Sequence, residues 1–366
     1  MLVHAVELVH VRIPFARPFV TATSATNVKD ALLVHVVTDL GDGWGECVAQ
    51  VHPTYLPDTI TSSRAVLRSE IAPRVFAGAP LTDIVGNAPA RAAMECALLD
   101  ARLQAEGRSL ASWLGATRTR VAAGAAIGIG DDATLRASVA DAVAAGYRRI
   151  KCKVVPNRAP DIMRTARDVL GERSEIALAA DANGTFPYDA IGAVAGLDAF
   201  DLQCIEQPFG VDEIDAHARL SREMRAPVCL DETITSAAIT RHAIGLGACG
   251  AVSIKPGRLG GIAESRAVYD ACLAAEVPML IGGMLETGIG RAVLVALAAL
   301  DGFTMVGDCA ASAHYFGPDG DLTTPFELED GYLRVPTAPG LGVDVIPDRL
   351  AQVTIAREIL RAKDIS

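Results

Sequence analysis

Charged side chains recur at near-constant spacing through the middle of this chain. Lys153, Asp181, Glu206, Asp231 and Lys255 follow one another at 28, 25, 25 and 24 residues. Each closes a short apolar run: 176–180 before Asp181, 202–205 before Glu206, 228–230 before Asp231 and 251–254 before Lys255. Helical stretches fill the intervals. A period near 25 with one charge per strand end is what a parallel β/α barrel produces when its site is built at the C-terminal ends of its strands. Barrel strands are therefore predicted near 121–127, 149–153, 176–181, 202–206, 228–231, 251–255, 278–282 and 303–307, with helices such as 132–145 and 261–275 between them.

The region before the repeats reads differently. Strands are predicted over 3–14 and 31–40, the glycines of Gly41-Asp-Gly-Trp44 read as a turn, and helices follow near 57–74, 88–106 and 109–115. This outlines an α+β capping domain over 1–120 and a barrel over 121–315. The tail, 316–366, carries short predicted strands at 326–328 and 332–335 and is expected to complete the cap. The fold class is α/β, a modified (β/α)7β barrel of the TIM type with an α+β cap.

Alternation along a strand places Lys151 and Lys153 on the inner face, with Cys152 outside and Cys204 and Cys229 inside below Glu206 and Asp231. Neighbouring strands stand about 4.8 Å apart, so Asp181, Glu206 and Asp231 can converge on one ion. Acidic loop caps are common, but three at equal spacing after apolar runs form a pattern. All-oxygen ligation favours Mg²⁺, with Mn²⁺ as a substitute. Asn183 and Glu232 stand where they can support those ligands. Lys151 and Lys153, about 6.7 Å apart by strand rise, would repel by about 2.5 kcal/mol at an effective dielectric near 20. That would bring a lysine from about 10.4 toward 7–8, where it can serve as a base.

The order Lys151-Cys-Lys153, Asp181-Ala-Asn183, Cys204-Ile-Glu206-Gln-Pro208, Leu230-Asp231-Glu232 and Lys255-Pro-Gly-Arg-Leu-Gly-Gly261 resembles the enolase superfamily, in its muconate-lactonizing-enzyme subgroup. Gly43-Trp-Gly-Glu46 in the cap fits as well. The stretches from Gly282 to Arg291 and from Pro336 to Gly342 resemble the branch of o-succinylbenzoate synthases and N-succinylamino acid racemases. The resemblance implies Mg²⁺-dependent α-proton abstraction from a small carboxylate substrate through an enediolate. Lys153 and Lys255 would be the catalytic lysines, and Lys151 would tune charge and hold the carboxylate. The leading expectation is synthase chemistry, the dehydration of 2-succinyl-6-hydroxy-2,4-cyclohexadiene-1-carboxylate. N-acylamino acid racemisation and muconate-type cycloisomerisation are the alternatives. The family's racemase-like members often carry Ser where this chain has Ala126. Phe19 and Tyr55 from the cap, with Met284 and Leu285 from the barrel, are candidate substrate contacts.

A Schiff-base aldolase would leave the carboxylates unexplained. GxSxG, HExxH, Walker A and GxGxxG patterns are absent, and Phe186 stands where an EF-hand loop beginning at Asp181 needs Gly. With 33 basic against 44 acidic residues the net charge is −11, which disfavours nucleic acid and anionic membranes. The longest apolar run, 292–300, is nine residues, against about 18 for a membrane span. Eight cysteines with no CxxC pair read as reduced thiols of a cytoplasmic protein. Self-association into a homo-oligomer is expected.

Overall fold

The computed structural model describes residues 1–22, 24–81 and 83–364. A long antiparallel hairpin opens the chain: β1, Val3–Val20, pairs with β2, Ala25–Thr38. Strand β3, Gly41–Cys47, pairs along β2, so the glycine-rich stretch expected to be a turn is a strand, and the turn is at residues 39–40. The reason lies in packing. A Cβ on Gly43 would collide with the Ala97 carbonyl oxygen, and one on Gly45 with that of Ala93. The glycines let β3 lie directly on the helix Ala88–Ala105.

The first barrel segment is split. Strand β4, Arg120–Ala122, turns aside, and β5, Gly124–Ile127, begins the parallel sheet. After it come β6 (Arg149–Lys153), β7 (Ala177–Asp181), β8 (Cys204–Glu206), β9 (Val228–Leu230), β10 (Ala251–Ile254) and β11 (Met279–Ile281), each beside its predecessor. Helices such as Asp132–Ala145 and Ile262–Ala274 make the crossovers. Asp131 caps the first by accepting from the Thr134 N–H at 2.8 Å.

The eighth segment, expected as a strand at 303–307, is irregular, yet it closes the sheet. Met305 and Asp308 donate their N–H groups to Met279 and Ile281 at 3.3 and 2.8 Å, and Gly124 donates to Cys309 at 3.2 Å on the other side. A Cβ on Gly307 would strike the Ile281 carbonyl, and one on Gly124 would strike that of Gly307. The seam thus closes on bare backbone. The result is a (β/α)7β barrel with an α+β cap. Its interior below the mouth is a layer of small buried side chains, Ala179, Cys204, Cys229 and Ala251, with Leu280. All eight cysteines are free and buried.

The tail contributes two strands. Strand β12, Tyr332–Arg334, pairs antiparallel with β4, and β13, Thr354–Leu360, pairs antiparallel with β1, giving the cap sheet the order β13-β1-β2-β3. The expected strand at 326–328 is irregular chain. Phe326 accepts from the Ser312 N–H at 2.9 Å and donates to Ser312 Oγ at 3.0 Å, which ties it to a helix instead of a sheet. Among the described residues no helix is long and apolar enough to cross a membrane.

Candidate active site

Strand parity brings the expected charges to one mouth. Lys151 and Lys153 leave β6 on its inner side, Asp181 ends β7 and Glu206 ends β8, with Asp181 and Glu206 adjacent in register. Asp231 and Lys255 follow β9 and β10 by one residue. Every one of them is buried. Asp181 Oδ2 takes both lysines, Lys151 at 2.9 Å and Lys153 at 2.7 Å. Lys151 also reaches both Glu206 oxygens, at 3.2 and 3.1 Å. Lys255 donates to Asp231 Oδ2 at 2.7 Å.

Asn183 joins the two sides. Its Oδ1 accepts from Lys153 at 2.9 Å and its Nδ2 donates to Glu232 at 2.9 Å. Tyr55, from the cap, donates to Asp231 Oδ2 at 2.9 Å and accepts from Lys255 and Arg258 at 3.0 Å each. Its ring lies 4.7 Å from the Lys255 ammonium. Phe19, Met284 and Leu285 line the same cavity as Lys151, Lys153, Asn183, Lys255 and Tyr55. Asp181, Glu206, Asp231 and Glu232 lie outside that lining.

Four residues of this cluster escaped the sequence reading. Asp308, at the end of the eighth segment, accepts from Lys151 at 2.6 Å and pairs with Arg149. Arg258 pairs with Asp231 and donates to the Ile234 and Ser253 carbonyls at 2.8 and 2.6 Å. Gln207, at φ 38°, accepts from the Asp231 and Thr233 N–H groups at 3.0 and 3.2 Å and so splints the ends of β8 and β9. Gln207 and Arg258 stood inside quoted motifs, and their position there was the only signal. Arg149 and Asp308 find each other across 159 residues, beyond any local pattern.

At Lys151 this geometry opposes the expected drive toward neutrality. Burial alone would lower Lys151, but Asp181, Asp308 and Glu206 outweigh it and hold it well above its ordinary value. Burial likewise works against Lys255, and Asp231 prevails. The carboxylates stand closer to the lysines than the lysines' mutual spacing allows for. Among the carboxylates, burial raises Glu206 to about 7 against Lys151, with Asp181 and Asp308 adding to the rise. Burial and the charges of Asp231 and Asp181 raise Glu232 to about 8.

As they stand, no three His, Cys, Asp or Glu side chains among the described residues are gathered closely enough to grip an ion. Asp181, Glu206 and Asp231 spread their oxygens over lysine and arginine instead. In kind, the donors suit a hard divalent cation: three carboxylates from consecutive strands, with Glu232 Oε2 buried nearby and lacking a hydrogen-bond partner. Arg149, Lys151, Lys153, Lys255 and Arg258 stand among Asp181, Glu206, Asp231 and Asp308, with Glu232 raised to about 8 beside them.

Comparison with known proteins gives consistent matches. The family described as enolase C-terminal domain-like matches residues 134–349. An N-succinylamino acid racemase from Amycolatopsis sp is 40% identical, covering 98% of this chain and 99% of its own length. An o-succinylbenzoate synthase from Geobacillus kaustophilus is 38% identical, covering 93% and 92% respectively. A crystal structure of an enolase-superfamily member from Listeria innocua superposes with a TM-score of 0.92 at 32% identity, covering 99% of this chain and 100% of that one.

Proposed function

The chain belongs to the enolase superfamily, an enzyme family of lyases and isomerases, and from that membership we propose that it racemises an N-succinylamino acid or related N-acylamino acid by a two-lysine proton transfer. One observation carries the reading. Lys153 and Lys255 line the same cavity from β6 and the end of β10, four strands apart in an eight-membered barrel. Four of eight is half-way round, so the lysines face each other across the mouth. A substrate α-carbon between them meets a base on one face and an acid on the other.

The chain's own residues then divide the work. Lys153 removes the α-proton from one enantiomer, and Lys255 returns a proton from the opposite side. Lys151, held by Asp181, Glu206 and Asp308, supplies fixed positive charge for the substrate carboxylate. Tyr55 covers the Asp231–Lys255 pair and excludes water, and Phe19, Met284 and Leu285 contact the substituents. Mg²⁺ or Mn²⁺ held by Asp181, Glu206 and Asp231 would supply a Lewis acid for the developing enediolate charge and draw the carboxylates' charge away from the lysines. The same reading divides the chain into a cap, 1–120 with 316–366, and a barrel, 121–315.

Synthase chemistry is the second reading, favoured by the 38% identical relative. There Lys153 would take the proton and hand it to the hydroxyl leaving from the same face, with Lys255 acting as a fixed charge. The test is exchange in deuterium oxide, followed by proton magnetic resonance on each enantiomer of an N-succinylamino acid. Inversion should need both lysines, and Lys153→Ala or Lys255→Ala should each abolish it. Inversion that survives either change defeats the two-lysine reading. Loss of the cyclohexadiene ultraviolet absorbance without inversion selects the synthase.

A further inference from the structure

The catalytic cavity is not the largest in the molecule. A second cavity, about 1740 Å³ to its open mouth against about 690 Å³ by the same measure, lies directly beside it. Its walls are the β1 arm near Phe15, the helix Asp132–Ala145, the helix Ser312–Phe316 and residues 325–328. Phe15, Ile127, Ala142 and Phe326 make much of its lining apolar. At its rim Arg17 pairs with the exposed Asp141 at 2.8 Å, so this charge is spent at the mouth.

Three residues border both cavities: Phe19, Ala126 and Tyr315. Phe19 and Tyr315 meet edge to face with ring centroids 6.2 Å apart. Ala126 is the register partner of Lys151 on the neighbouring strand, which puts the two backbones about 4.8 Å apart. A methyl there leaves a low step where a larger side chain would raise a wall. Anything anchored by its carboxylate over Lys151 and extended away from Tyr55 therefore passes Ala126 into the larger space.

Resting on the racemase reading above, we propose that this second cavity is the acyl subsite. It receives the far end of an apolar N-acyl group, a straight chain of several methylenes or an arylalkanoyl group, and Phe19 turns on the exposed β1 arm to admit it. The substrate class is thus N-acylamino acids with long apolar acyl groups, beyond the succinyl derivatives. Each methylene seated there should raise kcat/KM about fourfold.

The test compares N-acetyl-, N-hexanoyl- and N-(4-phenylbutanoyl)-phenylalanine with the full chain in Mg²⁺. The wild type is set against Ala313→Trp and Ala145→Trp, two exposed positions on different walls of the larger cavity only. The expected result is a kcat/KM that climbs with acyl length in the wild type. Either tryptophan should cut the phenylbutanoyl substrate tenfold or more while the acetyl substrate stays within about twofold. A flat chain-length series, or variants that lower all three substrates alike, overturns the subsite. Calorimetric binding separates this from the reading beneath it. Long acyl groups that bind more tightly, lose that gain in the variants, yet never invert would keep the subsite and remove the racemase. Inversion with a flat series would do the reverse.

Discussion

The barrel mouth and the layer beneath it are built by the same strands and the same side of the pleat, two residues apart. Asp181 stands above Ala179, Glu206 above Cys204, and Asp231 above Cys229. Above, buried carboxylates meet buried lysines and arginines; below, small apolar side chains fill the space. Asp181, Glu206 and Asp231 are as fully buried as the side chains below them. What differs is whether each group carries a charge that needs a partner. The lower layer contributes stability by excluding water. The upper one spends it, since a buried ion pair rarely repays its desolvation, and holds side chains where chemistry can use them.

The contrast breaks most sharply at Lys153. Lys153→Ala should lower α-proton exchange at least 1000-fold, about 4 kcal/mol of transition-state stabilisation, while denaturant unfolding barely shifts. Asp181 would still have Lys151, which stands 2.9 Å from it in the wild type. A large loss of stability would mean that the mouth supports the fold as the layer does. Leu280→Ala probes the opposite case. Fully buried in the lower layer, it should cost ~3 kcal/mol in unfolding and leave exchange by the folded protein within about threefold.

His217 sharpens the rule about partners. It is fully buried, accepts from the Phe209 N–H at 3.3 Å, and is pulled down to about 4 by burial. The Glu213 carbonyl at 2.8 Å from its Nδ1 and the charge of Asp215 favour the proton but do not offset burial, and the ring stays neutral. Its folded value lies below the unfolded one near 6.5, so its stabilisation is present above pH 6.5 and is lost as pH falls through 4. The loss across that window should approach ~3 kcal/mol, and His217→Gln should flatten that part of the stability profile. The smallest effect belongs to Cys229→Ala. Its thiol is one of the small fillers below the mouth, and replacement should cost about 1 kcal/mol with no effect on exchange. A tenfold change in exchange would show that the two layers are coupled.

The charges at the strand ends were legible because each sits at a fixed offset in a repeat, after a run whose apolarity marks a buried strand. Asn183 and Glu232 were legible as their near neighbours. Arg149 and Asp308 were not, because their relation exists only across the closed barrel. The expectation for Lys151 fails for a related reason: the Lys151–Lys153 spacing can be read along the chain, whereas the position of Asp181 Oδ2 between them cannot. Strand β3 was misread because a glycine means a tight turn in one setting and a close helix in another. Only the helix Ala88–Ala105, more than forty residues on, decides between them. The eighth segment lost its strand character where Gly307 gave up side chain for closure.

The pairing of β13 with β1 has a consequence for how the molecule is made. One edge of β1 can be covered by β2 within moments of synthesis. The other waits for residues 354–360, some 330 residues later. At about 5–20 residues per second, the ribosome leaves that edge without its partner for roughly 20 to 70 s while the whole barrel is produced. An open strand edge is a template for a wrong neighbour. Nascent chains on the same message therefore compete with the protein's own last strand for the place beside its first.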